Sequence, residues 1–305
     1  MTRGSDMRTM VMMLVVVVGW GLARAGDETF ERTVAADPHG TVEITNISGR
    51  IEVSAWDNPQ VQVHAEHAPA GQGNITVDSD HDRVTIKVLV PGASFGRGGT
   101  QLFVKVPRES GLEVSAVSAD VSTRDVQGPQ QLKVVSGEIK ADAFQKDVEA
   151  KSFSGDVIIQ ARNPGAHLRL SSISGEIKVE HGAADLEATN VSGDVLLHLD
   201  SMHNLRVHTT SSDVVVEGKL LHGGSIDADT VSGEMKLRVI PDKGFDYDIS
   251  TFSGDIDNCM GAKAESVHRY GPGSRLHGSV GPEGSNDAQI RVKSMSGSVR
   301  LCDKP

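Results

Sequence analysis

The sequence has few aromatic side chains, few cysteines and no excess of basic residues. Phe, Trp and Tyr make up 4% of its 305 residues, which favours thin, repetitive β structure over a thick mixed core. Lys and Arg number 30 against 41 Asp and Glu, for a formal net charge of -11. No nucleic-acid partner is therefore expected, because such partners need clustered basic side chains. Useful lengths of helix-period pattern are also lacking, which excludes a doubly wound α/β sheet.

The first 25 residues have the pattern of a secretory signal peptide. Arg3 and Arg8 supply positive charge, residues 10–19 form an apolar run, and a small-x-small site ends at Ala25. The run is too short to span a bilayer comfortably, so we expect cleavage between Ala25 and Gly26, with an uncleaved anchor as the alternative. The sequence thus predicts export to the periplasm, the cell surface or the medium, with no transmembrane span after cleavage.

A short unit repeats along the rest of the chain. Alternating apolar residues lead to an apolar-Ser-Gly-Asp/Glu corner, after which the alternation resumes. From Ala119 the central positions are spaced by 18, 18, 20, 18, 19, 21 and 21 residues, too evenly for chance. Ala119 and Ser212 replace the glycine in two copies. Because glycine tolerates positive φ, we expect structural turns at Gly137, Gly155, Gly175, Gly193, Gly233, Gly254 and Gly297.

The unit around Gly175 predicts two short strands joined by a corner. Leu168, Leu170 and Ser172 should share one face, since side chains in a strand alternate with a period of two. We expect Ile173 to face inward as well, so that the alternation breaks and Gly175 supplies the bend. One unit cannot bury its apolar face, so successive units should stack in parallel about 4.8 Å apart.

The predicted fold class is all-β: a single-stranded parallel β-helix, or β-solenoid, of about 18–21 residues per rung with an irregular β cap at the N-terminal end. Residues 1–25 are the signal peptide, 26–110 the cap and 111–305 the solenoid repeats. An insertion is expected at about 260–289, and 26–305 form one continuous domain. Stacked in chain order, the inward files should be Leu168, Leu186, Leu205, Ile226 and Tyr247 on one wall, and Val157, Ile177, Val195, Val214, Met235 and Ile256 on another.

The two cysteines occupy equivalent positions in their copies of the repeat. Cys259 follows Gly254 by five residues, and Cys302 follows Gly297 by five. If the two rungs are neighbours, the Cα atoms lie about 4.8 Å apart, within disulfide range, and an exported protein meets an oxidising environment. We expect a Cys259–Cys302 disulfide, which makes residues 260–289 a hairpin or loop; two free buried thiols are the alternative.

Acidic residues follow the central position in most copies and should line one corner of the stack. Carboxylates at rung spacing are candidate calcium ligands, although a solvated edge that prevents association is the favoured interpretation. No His-Glu-x-x-His or Cys-x-x-Cys occurs, and no cofactor is expected. The calcium candidates are Asp156, Glu176, Asp194, Glu234 and Asp255.

The repeat resembles that of the bacterial putative-adhesin family, whose members carry a β-strand-repeat domain of unknown function. The resemblance covers roughly residues 30–302 and rests on the Ser-Gly-Asp/Glu corners and several flanking segments. It implies an exported β-helix with an adhesive or envelope role, and it brings no established catalytic residues. The flanking segments are 49–53 with Trp56 and Asp57, 104–107, 270–273, 290–292 and 295–297.

We therefore expect a protein that is not an enzyme: a binding or scaffold protein for an unknown envelope or extracellular protein or glycan. Its prominent carboxylates all belong to the repeat, and neither Gly-x-Ser-x-Gly nor a phosphate loop occurs. One alternative is a polysaccharide-active β-helix enzyme, a lyase or hydrolase, which needs two or three converging carboxylates in a groove. The other is a purely structural envelope element.

Overall fold

The protein is all-β, and a computed structural model describes most of it. Within the described part no helix is long and apolar enough to cross a membrane. The predicted signal peptide, with Ala25 and Gly26, lies outside that part. The described residues are 29–67, 74–89, 99–163, 165–261, 263–266, 273–281 and 287–302.

The described residues form one mixed sheet of 23 strands. The strands before the regular rungs are β1 (Phe30–Ala35), β2 (Thr41–Trp56), β3 (Gln60–Glu66), β4 (Ile75–Asp80), β5 (Arg83–Val88) and β6 (Thr100–Pro107). The middle strands are β7 (Gly111–Arg124), β8 (Gln130–Ser136), β9 (Ile139–Ala143), β10 (Val148–Ser154), β11 (Val157–Ala161), β12 (Ala166–Ser174), β13 (Ile177–Glu180), β14 (Ala183–Ser192), β15 (Val195–Ser211), β16 (Val214–Ser232) and β17 (Met235–Pro241). The last are β18 (Phe245–Ser253), β19 (Ile256–Asn258), β20 (Glu265–Ser266), β21 (Ser274–Val280), β22 (Ala288–Ser296) and β23 (Val299–Cys302).

The repeat unit forms a rung of a β-solenoid-like stack, with one strand on each side of a corner. In register, β10 pairs in parallel with β12, and β11 with β13, so that Val148 lies beside Leu168 and Val157 beside Ile177. Gly155 has φ 148°, and a Cβ there would come within 3.0 Å of the Gly137 carbonyl. The corners therefore stack backbone on backbone, which requires residues without a side chain at most of these positions.

The residue before each Ser-Gly corner faces outward, which corrects the expectation for Ile173. Ser172 is 1% exposed, whereas Ile173 is 41% exposed. Strand alternation thus continues through Ile173 and breaks at Ser174, where two successive side chains point to solvent. The outward position is physically possible because the extra residue needed to turn the corner is the exposed serine and not an inward apolar side chain.

Small polar side chains occupy the inward position immediately before the outward apolar residue. Asn190 is buried, and its Nδ2 donates to the carbonyl oxygens of Gly175 at 3.0 Å and Gly193 at 2.9 Å. The Ser172 hydroxyl donates to the Gly155 carbonyl at 3.2 Å. These side chains bond corner carbonyls, a role that an apolar residue could not fill.

The stack begins at β2, inside the region predicted as the cap. The whole length of β2 pairs in parallel with β7, from Thr41 beside Gly111 to Ser54 beside Arg124. On its other side β2 pairs with β5 and β6. Antiparallel partners complete this end: β4 pairs with β5, β3 with β6 and β1 with β3.

At the other end the order of rungs departs from the order of the chain. The strands β22 and β23 lie between the rung of β16 and β17 and the rung of β18 and β19, and pair in parallel with both. The expected inward files are therefore wrong at their last step. Ile290 separates Ile226 from Tyr247, and Val299 separates Met235 from Ile256.

A hairpin completes this end within residues 260–289. The strand β21 pairs antiparallel with β18, and β20 pairs antiparallel with β21. Arg275 on β21 forms a bidentate ion pair with Asp248 on β18, at 2.9 and 2.7 Å. The sheet is parallel in its middle and antiparallel at both ends, where the single-direction stack would otherwise expose unpaired backbone.

Candidate functional site

A polar groove crosses seven rungs at the beginning of their first strands. It has a volume of about 630 Å³ and runs from Thr41 to Arg206. Its outer wall is formed by alternate residues of the strands, because every second side chain points away from the core. These outward groove residues are Glu113, Gln131, Glu149, Arg169, Glu187 and Arg206.

Neighbouring rungs pair their groove side chains along the stack. Gln131 donates from Nε2 to Glu149 at 2.8 Å, and Arg169 donates from Nε to Glu187 at 3.3 Å. These pairs follow the register, in which Gln131 lies beside Glu149, and Arg169 beside Glu187. The groove is thus a ladder of planar amide, carboxylate and guanidinium groups at rung spacing.

A second row of polar groups lies at the floor edge of the groove. His167 Nδ1 lies 3.3 Å from Asp185 Oδ2, and Asn204 donates from Nδ2 to Asp185 Oδ1 at 3.0 Å. Asp185 therefore orients two neighbouring groups, one from the rung before it and one from the rung after it. Arg206 makes no ion pair with any side chain in the described part of the chain, and so retains its donors for a ligand.

The ionisation of Glu149 does not suit general-acid catalysis. Hydrogen bonds from Lys151 and then Gln131 lower the pKa of the Glu149 carboxyl. A glycosidase acid needs the opposite, a carboxyl whose pKa is raised so that it holds a proton at neutral pH. The groove carboxylates Glu149, Asp185 and Glu187 each accept a hydrogen bond from a neighbouring rung or strand. This arrangement suits recognition of polar groups.

The predicted calcium candidates lie along one corner but do not converge. Asp156 accepts from the backbone amide of Glu176 at 2.8 Å, so its carboxylate is directed along the stack. Glu234 pairs with Lys236 at 2.8 Å, and Ser298 of the inserted rung lies between Glu234 and Asp255. Across the described residues no three acidic, His or Cys side chains gather to hold a metal. Calcium binding by these residues, Asp194 included, stays a prediction.

The expected disulfide joins Cys259 and Cys302, whose Cα atoms are 4.9 Å apart. Its premise, that the two rungs are neighbours, holds because β19 pairs with β23. Turn geometry with positive φ occurs at Gly137, Gly155, Gly175, Gly193, Gly233 and Gly254. Gly297 lies in the same stack of corners without a positive φ in this range.

The groove itself was not predicted from the sequence. A usable signal was present, because its outward side chains stand four residues before the outward apolar position in each copy, as Arg169 does before Ile173. Aligning the copies shows that this position is charged or amide in six successive rungs. That regularity was masked by attention to the acidic corner, which is more uniform in sequence.

Comparison with known proteins places the chain in a described family. A family model described as Toastrack DUF4097 matches residues 34–301. No curated protein matches the chain.

Three solved structures are similar to it. A putative adhesin from Bacteroides fragilis NCTC 9343 is 14% identical, with 90% of this chain and 97% of that chain covered and a TM-score of 0.46. A putative lipid binding protein from Parabacteroides distasonis ATCC 8503 is 14% identical, with 91% and 97% covered and a TM-score of 0.44. A putative adhesin from the same organism is 12% identical, with 90% and 97% covered and a TM-score of 0.38.

Proposed function

The chain belongs to the Toastrack DUF4097 family, and we propose that it is an exported, non-catalytic binding scaffold whose groove holds an extended glycan chain. The signal-peptide pattern of residues 1–25 supports export, and the disulfide between Cys259 and Cys302 suits an oxidising compartment. Within this proposal the rungs form one continuous single-stranded coil, and the ends of the chain serve as its caps.

The observation that carries the proposal is the ladder of paired polar groups along the groove. Hydroxyl-rich polymers are bound by planar side chains that donate and accept in fixed directions, and each pair of groove residues holds its neighbour in place. Gln131 and Glu149 illustrate this, at 2.8 Å. An extended chain lying along the stack meets an equivalent set of groups at every rung, and such long concave surfaces are where solenoids bind.

A binding role fits the groove better than hydrolysis. Arg169 and Glu187 neutralise each other at 3.3 Å, and the pKa of Glu149 is lowered by its donors. A hydrolase would need one carboxyl that keeps its proton and a second that is free to attack or to activate water. The groove instead offers Arg206 as an unpaired donor beside carboxylates that already have partners.

The test is titration of the purified protein with a panel of bacterial envelope polysaccharides and their oligosaccharides. R169A and R206A should each weaken binding at least about tenfold, because a hydrogen bond to a charged group contributes about 1.5–3 kcal/mol. The matched control is R291A: Arg291 lies in the same outward file and pairs with Asp227 at 3.2 Å, but it lies outside the groove.

Three outcomes would count against the proposal. Saturable binding that R169A and R206A leave unchanged would move the site elsewhere. Failure of every glycan to bind would remove the ligand class. Release of new reducing ends or unsaturated sugars from a polysaccharide would show that the protein is an enzyme.

A further inference from the structure

A continuous apolar stripe runs along the outside of the stack, beside the glycine corners. It consists of the residue before Ser-Gly, or its equivalent, in every rung. Phe153, Phe252 and Met295 are 59%, 61% and 60% exposed. Ile47 is half-buried and Thr210 is the one polar member. In stack order the members of the apolar stripe are Ile47, Val117, Val135, Phe153, Ile173, Val191, Thr210, Val231, Met295 and Phe252.

The fold gives this stripe no internal role. The inward neighbour of each member already fills the core side of the strand, as Asn190 does next to Val191. Ten rungs at about 4.8 Å make the stripe roughly 43 Å long. Soluble monomers seldom expose a contiguous apolar surface of this kind unless a partner covers it.

The area of the stripe is what one side of a stable dimer needs. Eight of its members are 41–61% exposed. With roughly 150–200 Å² for each side chain, they present about 700 Å² of apolar surface, close to the ~800 Å² per partner of a standard interface. A small ligand would cover only a fraction of this length, whereas a second stack of the same length covers all of it.

The charges on the two sides of the stripe are of opposite sign. On the strand side, two residues before the stripe, lie Lys133, Lys151 and Lys293. On the corner side, three residues after it, lie acidic groups such as Glu138 and Asp156. A surface with cations on one flank and carboxylates on the other is complementary to its own copy turned through half a circle.

We propose that a second copy of this chain packs against the apolar stripe, with the two stacks side by side and parallel about a two-fold axis along the stack. Equal rungs then meet, so Phe153 contacts Phe153 of the other copy. Lys151 of each copy faces Asp156 of the other, and Lys133 faces Glu138. One rung opposes Asp229 to Glu234, and there Glu234 already has Lys236 at 2.8 Å.

The antiparallel alternative is excluded by the same charges. A two-fold axis across the stack would set the acidic corner of one copy against the acidic corner of the other, from Asp120 to Asp255. Like charges in an interface cost affinity and steer the copies apart. Only the parallel arrangement places cations against carboxylates in most rungs.

This interface is independent of the groove and goes beyond the proposed function. The groove residue Arg169 lies four residues before Ile173 on the same strand, which is about 13 Å away. The second copy lies over the corner side, so the groove stays open. Glycan binding can therefore fail while dimerisation holds, and the reverse.

The first test is sedimentation velocity of the purified protein, expressed from the full sequence. The wild type should sediment at twice the mass of one chain. F153K/I173K should weaken dimerisation at least about 100-fold, because two buried contacts become charged groups facing their own copies. Both positions are exposed, so folding should be unaffected and circular dichroism should match the wild type. I240K is the control, since Ile240 is 55% exposed but lies outside the stripe.

The second test fixes the direction of packing. T210C should form a disulfide-linked dimer under mild oxidation, because Thr210 meets Thr210 across a parallel axis. T189C should not, although Thr189 is exposed on the next rung, because it faces an acidic corner residue of the other copy. K151E should weaken the dimer, and K151E/D156K should restore it.

A wild type that remains monomeric at about 100 µM would overturn the proposal. So would a dimer that F153K/I173K leaves intact. A monomer that binds phosphatidylcholine vesicles through the stripe would assign the surface to lipid and also overturn it. Cross-linking only in a mixture of F153C with T210C would refute the parallel axis.

Discussion

Gly254 and Gly297 are neighbours in the stack although 43 residues separate them in the chain. A Cβ on Gly254 would come within 3.0 Å of the Gly297 carbonyl, and a Cβ on Gly297 equally close to the Gly233 carbonyl. The last strands of the described chain, β22 and β23, therefore form the penultimate rung, closed over by β18 and β19.

This order predicts strong protection of a chain terminus against hydrogen exchange. Amides of β22 such as Ile290 and Val292 should exchange more slowly than those of β21, because β22 has a hydrogen-bonded strand on each side. Native-state exchange followed by mass spectrometry measures this. A β22 segment that exchanges first, as a fraying terminus does, would contradict the inserted order.

Glycine is required at the corners. We expect Gly155→Ala to destabilise the protein by about 2–4 kcal/mol, because φ 148° is unfavourable for alanine and its Cβ would clash with the Gly137 carbonyl. Chemical denaturation gives the free energy of unfolding. The control is Gly165→Ala, where the nearest atom to an added Cβ is 3.9 Å away. Equal effects of the two substitutions would show that the corners are not tightly stacked.

The disulfide should stabilise the closing rung. Reduction, or Cys259→Ser with Cys302→Ser, should lower the free energy of unfolding by about 3–4 kcal/mol, as expected for a closed loop of 43 residues. Intact-mass spectrometry with and without reductant should differ by two protons. Two thiols that alkylate in the native protein without reductant would contradict the bond.

The ion pair between Asp248 and Arg275 predicts a loss of stability in acid. A hydrogen bond from Arg275 lowers the pKa of Asp248 below its ordinary value of 3.8 in the folded protein. Its contribution is therefore fully present above about pH 4, and it is lost as the pH falls through the lower folded value. The contribution is small because both side chains are largely solvent-exposed.

Thermal unfolding of the wild type and of Asp248→Asn from pH 7 to pH 2 checks this. The difference between their midpoints should be constant down to about pH 4 and shrink below it. Asp257→Asn is a suitable control for the general effect of losing one surface carboxylate, since Asp257 pairs with Arg300 at 3.0 Å outside the hairpin. A difference that grows as the pH falls would be the wrong sign.

Much of the fold could be predicted because the repeat is written in single residues. The Ser-Gly corner, the period of two around Leu168 and Leu170, and the equivalence of Cys259 with Cys302 are all local patterns. The orientation of Ile173 was predicted wrongly because apolar character was taken to mean burial. Ser172, the small polar neighbour, faces inward to bond a corner carbonyl. Apolar residues on a surface that meets a partner give the same sequence signal as core residues.

The sequence by itself determined the rung: its length, its corner and the inward position of most apolar side chains, because these depend on alternation and on backbone freedom within a few residues. Only the tertiary structure decided which rung lies beside which at the end of the stack, because every rung presents nearly the same edge and the corners of Gly233, Gly254 and Gly297 are interchangeable as neighbours. The groove and the apolar stripe likewise exist only once the rungs are stacked, since each is built from one side chain per rung and no single rung contains it.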